Sequence, residues 1–107
     1  MKERKDESSW NYANKLHLLE AESHSSNGEN DLAVESYTAA IETSKSSKFV
    51  HEQGLSCELA ALHFKRRKDM KTALTYFRQA KTCYEAWGAQ IKVDSIVQQI
   101  DNIQTWI

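Results

Sequence analysis

The sequence contains no proline and only three glycines, Gly28, Gly54 and Gly88. These two residue types interrupt helices most strongly, so almost the whole chain is compatible with long helices. The sequence also has no apolar run of about 18 residues, the length that a membrane-spanning helix needs. Its polar start, MKERKDESS, lacks the hydrophobic stretch of a signal peptide. We therefore expect an all-α cytoplasmic protein that does not interact with a membrane.

The net charge is close to zero, and cysteines are few. The 14 basic and 15 acidic residues leave a formal charge of -1, whereas domains that bind nucleic acid are usually basic. We expect no nucleic-acid partner. The two cysteines, Cys57 and Cys83, do not form the dense disulfide framework of a small secreted domain, so we expect both to be reduced. A chain of 107 residues fits one domain.

One spacing of alanines and an aromatic residue occurs twice, in AVESYTAA at 33–40 and in ALTYFRQA at 73–80. In each copy alanine, an aromatic ring and alanine follow at i, i+4 and i+7, which places them in one stripe on a helix. A further alanine lies twelve positions upstream in each copy, Ala21 and Ala61. The pattern predicts two antiparallel helical hairpins that stack, because one hairpin cannot bury its apolar side alone.

Cap residues divide the chain into five predicted helices, at roughly 9–26, 31–45, 49–67, 70–86 and 89–105. Asn30 or Asp31, Ser47 and Asp69 are the predicted N-caps, and Gly88 is predicted to adopt a positive φ where the fourth helix ends. We predict a single helical-repeat domain over residues 1–107. Within it we expect residues 1–8 to be disordered or frayed, followed by a first repeat at 9–45, a second at 49–86 and a closing helix at 89–107.

The two copies also share residues with a known repeat family. The first copy supplies Ala21, His24, Gly28, Ala33, Tyr37 and Ala40, and the second supplies Ala61, Phe64, Lys68, Ala73, Phe77 and Ala80. Over residues 15–86 this pattern resembles the tetratricopeptide repeat family, whose usual period is about 34 residues. Here the period is about 40, the early tryptophan position is His17 or Cys57, and the closing proline is missing from both copies.

A second resemblance concerns HEQGLSCELAALHF, TALTYFRQAKTCYEAWGAQIKVD and, within the latter, EAWGAQIKV. These strings are similar to the end of the helical-repeat region in very large signalling proteins. Such proteins join a kinase-like domain, an ATPase domain, these repeats and sensor or histidine-kinase modules. The resemblance implies that the chain is a piece of such an array and that it serves intracellular signalling.

The tetratricopeptide resemblance also implies a binding groove. In that family peptides lie against the first helix of each hairpin, which here presents Lys15, Leu18, Glu22, Leu55, Glu58, Leu62, Lys65 and Arg66. Family members that grip a chaperone's terminal carboxylates have lysine and asparagine where this chain has Leu18 and Glu22. We therefore expect a protein or peptide partner of another kind. The basic run at 65–68, with Lys71, is either a solvated corner or a docking site for an acidic peptide.

The sequence gives little support for a metal site, a phosphate-binding loop or an enzyme active site. His17, Glu20 and His24 share a helix face, but a zinc site needs four ligands and no second pair follows at binding spacing. There is no glycine-rich phosphate loop and no nucleophile motif. We expect no cofactor, no metal and no catalytic residue; a metal-dependent enzyme is the weakest alternative.

The last predicted helix carries a stripe of apolar residues, Val93, Ile96, Val97, Ile100, Ile103 and Ile107. Such a stripe must be covered, and two roles stay open. It closes the stack over the third and fourth helices, or it forms a homodimer through an association face of Ile96, Ile100, Ile103 and Ile107. Overall, the sequence favours a non-catalytic protein-interaction or assembly module. The rival interpretation is a structural spacer or dimerisation segment of a larger kinase or ATPase that binds no free partner.

Overall fold

A computed structural model describes residues 15–47 and 50–106. Within these residues the chain forms five helices and no strand: α1 (15–26), α2 (Asn30–Ser47), α3 (Val50–Arg66), α4 (Met70–Trp87) and α5 (Gln90–Trp106). The prediction of an all-α fold is confirmed. The predicted disorder at 1–8, the predicted helix start at residue 9, the predicted repeat start at residue 49 and Ile107 lie outside the described residues.

The helices form stacked antiparallel hairpins. Helix α3 packs against both α2 and α4, and α4 packs against α5. The four alanines at the centres of the two hairpins, Ala21, Ala33, Ala61 and Ala73, are completely buried, so the helix backbones approach closely where these small residues lie. The aromatic residue of each copy fills the space beside them: Tyr37 and Phe77 are both buried. This is the core that the repeated spacing predicts.

The turns inside the two hairpins have the same backbone geometry. Gly28 has a φ of 77° and Lys68, forty residues later, has a φ of 66°. In each turn the following amide donates to a carbonyl near the end of the preceding helix, Glu29 N to His24 O at 2.8 Å and Asp69 N to Phe64 O at 2.9 Å. This is the left-handed helix ending that glycine normally supplies. The second hairpin forms it with a lysine.

Two of the predicted caps are confirmed and two are wrong. The Asp69 side chain accepts a hydrogen bond from Thr72 N, and Gly88, with a φ of 85°, donates to the carbonyls at the end of α4. Helix α2, however, begins at Asn30, so neither Asn30 nor Asp31 precedes it. Ser47 is the last residue of α2 and not a cap of α3, because the polar segment after residue 44 continues the helix instead of ending it.

Gly54 has a packing role that the sequence did not reveal. It is buried in α3, and a Cβ atom placed on it would lie 2.9 Å from Cε1 of Tyr84. Tyr84 is itself buried, with 2% of its surface exposed, so its ring has little room to move away. The missing side chain at residue 54 is what lets the Tyr84 ring pack closely against α3.

Helix α5 closes the described stack by packing on α4. Its residues Val93, Ile96 and Ile103 are buried in the same apolar core as the two hairpins. None of the helices in the described ranges combines the length and the apolarity that crossing a bilayer requires.

Candidate binding surface

Helices α1, α3 and α5 lie side by side and form one face, which we call the odd-helix face. Polar bonds join them across the stack. Arg66 Nη2 on α3 donates to Ser25 Oγ on α1 at 3.0 Å, and Lys65 Nζ on α3 donates to Gln99 Oε1 on α5 at 2.8 Å. Lys92 Nζ on α5 also lies 3.3 Å from Glu58 Oε1 on α3. The three helices therefore present a continuous surface.

An apolar pocket opens on this face between α1 and α3. Its volume is about 300 Å³, and it is lined by Lys15, Leu18, Leu19, Glu22 and Leu59. Leu18 belongs to the core, with 7% of its surface exposed, whereas Leu19 is 68% exposed. A large apolar side chain left open beside an apolar pocket is typical of a protein interaction site.

The two carboxylates predicted on this face are already hydrogen-bonded. The Tyr37 hydroxyl donates to Glu22 Oε2, and the Tyr84 hydroxyl donates to Glu58 Oε1 at 2.8 Å. Burial raises the pKa of both tyrosines above the ordinary value, and the adjacent carboxylate raises each pKa further. Glu22 therefore lines the pocket and also accepts a hydrogen bond from a core tyrosine.

The basic members of the predicted groove also have partners within the chain. Lys65 reaches Gln99 on α5, and Arg66 reaches Ser25 on α1. Arg66 is exposed and Lys65 is half-buried. Arg67, Lys68 and Lys71 are exposed as well, so the turn from α3 to α4 presents a basic corner at one end of the odd-helix face.

The structure brings only part of the predicted groove together in the pocket. Leu18 and Glu22 line it, with Lys15. Leu55 is 39% exposed and lies outside the pocket lining. Leu62 is half-buried against the hydrophobic core, so it supports the face without forming the pocket wall.

Two lining residues, Leu19 and Leu59, were missed by the sequence analysis. The missed signal was the run LHLL at 16–19, because α1 carries more leucines than its buried stripe can use. Only Leu18 of that run is buried, while Leu16 and Leu19 remain exposed. A surplus of apolar residues beside a core position was the available indication of an open apolar surface.

A buried histidine joins the two hairpins at the edge of the odd-helix face. His63 is 1% exposed; its Nδ1 lies 2.8 Å from Ser25 Oγ and its Nε2 lies 2.7 Å from Asn30 Oδ1. In the neutral ring, Nε2–H donates to Asn30 and Nδ1 accepts from the Ser25 hydroxyl, which in turn accepts from Arg66. Burial lowers the pKa of His63, and the neighbouring Arg66 and Arg67 charges lower it further.

The other histidines do not assemble a metal site in the described residues. His24 Nδ1 bonds to Glu29 Oε1 at 2.8 Å, and His17 Nδ1 lies 3.8 Å from Glu20 Oε1. No group of three or more histidine, cysteine, aspartate or glutamate side chains in residues 15–47 and 50–106 has the arrangement to hold a metal ion. Cys57 is buried and free, and burial raises its pKa to about 12, which opposes formation of a reactive thiolate.

The predicted association face on α5 divides into a buried part and an open part. Ile96 is 0% exposed and Ile103 is 1% exposed, because α5 directs both side chains into the core. They are not available to a second chain while α5 is packed. Ile100 and Val97 are half-buried at the edge of the helix, and Ile107 lies outside the described residues.

Comparison with known proteins adds no relative. No protein-family model matches the chain, and neither a curated protein nor a solved structure matches it.

Proposed function

We propose that this chain is a non-catalytic, tetratricopeptide-like interaction module that binds a peptide segment of another protein on its odd-helix face. The observation that carries the proposal is the apolar pocket of about 300 Å³ between α1 and α3, beside the exposed Leu19. A rigid helical face with an apolar recess can bind a bulky apolar side chain of the partner, and because the face is already ordered, binding loses little conformational entropy.

Charge on this face favours a partner that is acidic beside its apolar residue. Glu22 and Glu58 are held by the hydroxyls of buried tyrosines, and Lys92 also lies against Glu58. The positive charges of Lys15 and Arg66 are nearer to solvent, since both residues are exposed. A leucine, isoleucine or phenylalanine flanked by aspartate or glutamate therefore fits the face best.

We assign the module to the cytoplasm and to an intracellular signalling protein. The cytoplasmic assignment is supported by two cysteines that are both buried and free, since disulfides are rare in that compartment. The signalling assignment depends on the resemblance of residues 51–64 and 72–94 to the repeat region of large signalling proteins.

A selection of displayed random peptides against the chain tests the proposal. We expect enriched sequences to contain a bulky apolar residue beside acidic residues. Leu19→Glu should weaken their binding by about tenfold or more, because a contact of this size contributes at least about 1.5 kcal/mol. Leu32→Glu is the matched control, because Leu32 is 44% exposed on α2, away from the pocket.

The outcome also separates the module from a structural spacer. A spacer would yield no peptide that binds the wild-type chain more tightly than the Leu19→Glu variant. Equal loss of binding in Leu19→Glu and Leu32→Glu would also contradict the proposal, because it would place the contact elsewhere.

A further inference from the structure

A second groove lies between α4 and α5, on a side of α5 that does not face α3. Its volume is about 390 Å³, and it is lined by Arg78, Lys81, Thr82, Val97, Ile100 and Asp101. At 100° per residue, Val97 and Asp101 lie about 140° and 180° around α5 from Lys92, the residue that reaches α3. The groove is therefore separate from the odd-helix face.

The order of the hairpins explains why this groove is open. Helix α3 packs between α2 and α4, and α4 packs between α3 and α5. Within residues 15–47 and 50–106, α4 is the one helix in extensive contact with α5, so no described helix covers the groove. Val97 and Ile100 are left half-buried beside the groove. Val97 and Ile100 give the groove an apolar floor, which suits the apolar side of an amphipathic helix.

The charges along the groove differ in sign between its two walls. Arg78 and Lys81 lie on the α4 wall and Asp101 lies on the α5 wall. Lys81 pairs with Glu85 at 3.0 Å, whereas Arg78 and Asp101 form no ion pair within residues 15–47 and 50–106. Two opposite charges that share a groove without pairing are available to a partner surface that brings an acidic group to Arg78 and a basic group to Asp101.

The groove of a second copy is such a surface, because it carries Arg78 on α4 and Asp101 on α5. Its α5 also presents Val97 and Ile100 for the groove floor. We propose that a second copy of this chain binds here, forming a twofold-symmetric dimer in which Asp101 of each copy faces Arg78 of the partner subunit. A twofold interface uses the same patch on both copies, so one groove supplies both halves of the contact. This inference does not depend on peptide binding at the odd-helix face.

Two substitutions of isoleucine by lysine on α5 test the apolar part of the interface. Light scattering over a micromolar concentration series should give twice the chain mass for the wild type. Ile100→Lys should raise the dimer dissociation constant about a hundredfold, because two isoleucines leave a symmetric interface. Ile91→Lys, the control, should leave the dimer unchanged, because Ile91 is 84% exposed and lies outside the groove.

A charge exchange tests the pairing without touching the core. Arg78→Asp and Asp101→Arg should each weaken the dimer by about tenfold, because each places like charges together at two symmetric positions. An equimolar mixture of the two variants should restore association, since both contacts in the mixed dimer then pair opposite charges. Arg78 and Asp101 are exposed, so these variants decide the question even if Ile100→Lys impairs folding.

Three results would overturn the proposal. The first is a wild-type chain that stays monomeric throughout the concentration series. The second is a dimer that the Arg78 and Asp101 variants leave unchanged. The third is a mixture of these two variants that associates no better than either variant alone.

Discussion

The first hairpin, α1 and α2, carries the hydrogen-bonded pair Glu22 and Tyr37 at the positions where the second hairpin carries Leu62 and Phe77. At another set of matching positions, the second hairpin has the glutamate and tyrosine pair and the first hairpin does not. The second hairpin carries the pair Glu58 and Tyr84, and the residues forty positions earlier are Leu18 and Ser44. Each hairpin thus contains one glutamate and tyrosine pair at a place where the other has none.

This comparison shows how a tyrosine is accommodated in a helical-repeat core. A buried hydroxyl costs free energy unless it has a partner, and in each hairpin the opposing helix supplies a carboxylate at the edge of the odd-helix face. In the second hairpin the matching ring, Phe77, has no hydroxyl, and the position that matches Glu22 is Leu62. The two glutamates predicted as ligand-binding residues are therefore also structural partners of the core.

Truncating the repeated ring tests the comparison most strongly. Tyr37→Ala and Phe77→Ala should each lower the free energy of unfolding by about 3 to 5 kcal/mol, because both rings are buried and leave a cavity. Urea denaturation followed by circular dichroism measures the change. A loss below about 1 kcal/mol for either variant would show that its ring is not part of a common core.

Replacing Glu22 and Tyr37 by the leucine and phenylalanine of the second hairpin tests whether the glutamate satisfies the tyrosine hydroxyl. Glu22→Leu should cost about 1 to 3 kcal/mol of unfolding free energy, because the Tyr37 hydroxyl then stays buried without an acceptor. The double variant Glu22→Leu, Tyr37→Phe copies the second hairpin's pair into the first and should recover most of that loss. If the double variant is as unstable as Glu22→Leu, or less stable, the hydroxyl is not what the glutamate satisfies.

Substitutions in the two hairpin turns should change the free energy of unfolding by a smaller amount. Gly28→Ala should cost about 1 kcal/mol, because residue 28 has a positive φ and only backbone strain opposes the new Cβ; there is open space around it. Lys68→Gly should stabilise the chain by up to about 1 kcal/mol by removing the same strain. Thermal denaturation compares them. A stabilising Gly28→Ala would contradict the shared turn geometry.

We expect the smallest change in stability from protonation of His63, the buried histidine at the junction between the hairpins. His63 has a lowered pKa in the folded chain, so below about pH 6.5, the ordinary histidine pKa, the unfolded chain binds more protons. Stability should therefore fall as the pH drops below this value and level off once the pH lies below the folded pKa. Glu22, Arg66 and Arg67 influence this titration.

Two substitutions isolate the contribution of His63. In His63→Gln the acid-dependent loss of stability, measured by urea denaturation at several pH values, should be smaller than in the wild type. His17→Gln is the control, because His17 is only half-buried, and it should keep the wild-type slope. Equal slopes in all three proteins would contradict a role for His63 in the acid response.

Much of the fold was predictable because it depends on regular spacing. The alanine and aromatic stripe identified the hairpins, and Asp69 and Gly88 marked the ends of α4 through simple backbone chemistry. Gly28 and Lys68 occupied matching positions, but the lysine gave no sign of a positive φ. Where α2 ends was not predictable from the polar segment after residue 44, because serine and lysine are compatible with both a helix and a loop.

The binding surface was less predictable because partner choice among long side chains depends on the tertiary structure. Nothing in the order of residues indicates that Lys65 reaches Gln99 or that Glu22 accepts a bond from Tyr37. Leu19 was missed because one turn of α1 contains three leucines and only the packing shows which of them is buried. The sequence thus indicated the helices that form the face, and the structure determines which residues remain open on it.

Nuclear magnetic resonance tests the central claim, binding on the odd-helix face, most directly. A selected peptide is titrated into the uniformly ¹⁵N-labelled chain while amide chemical shifts are recorded. We predict that the largest changes occur around the pocket of α1 and α3, at Lys15, Leu18, Leu19, Glu22 and Leu59, with small changes on α2 and α4. Changes concentrated on α2 and α4, with none around the pocket, would contradict the account.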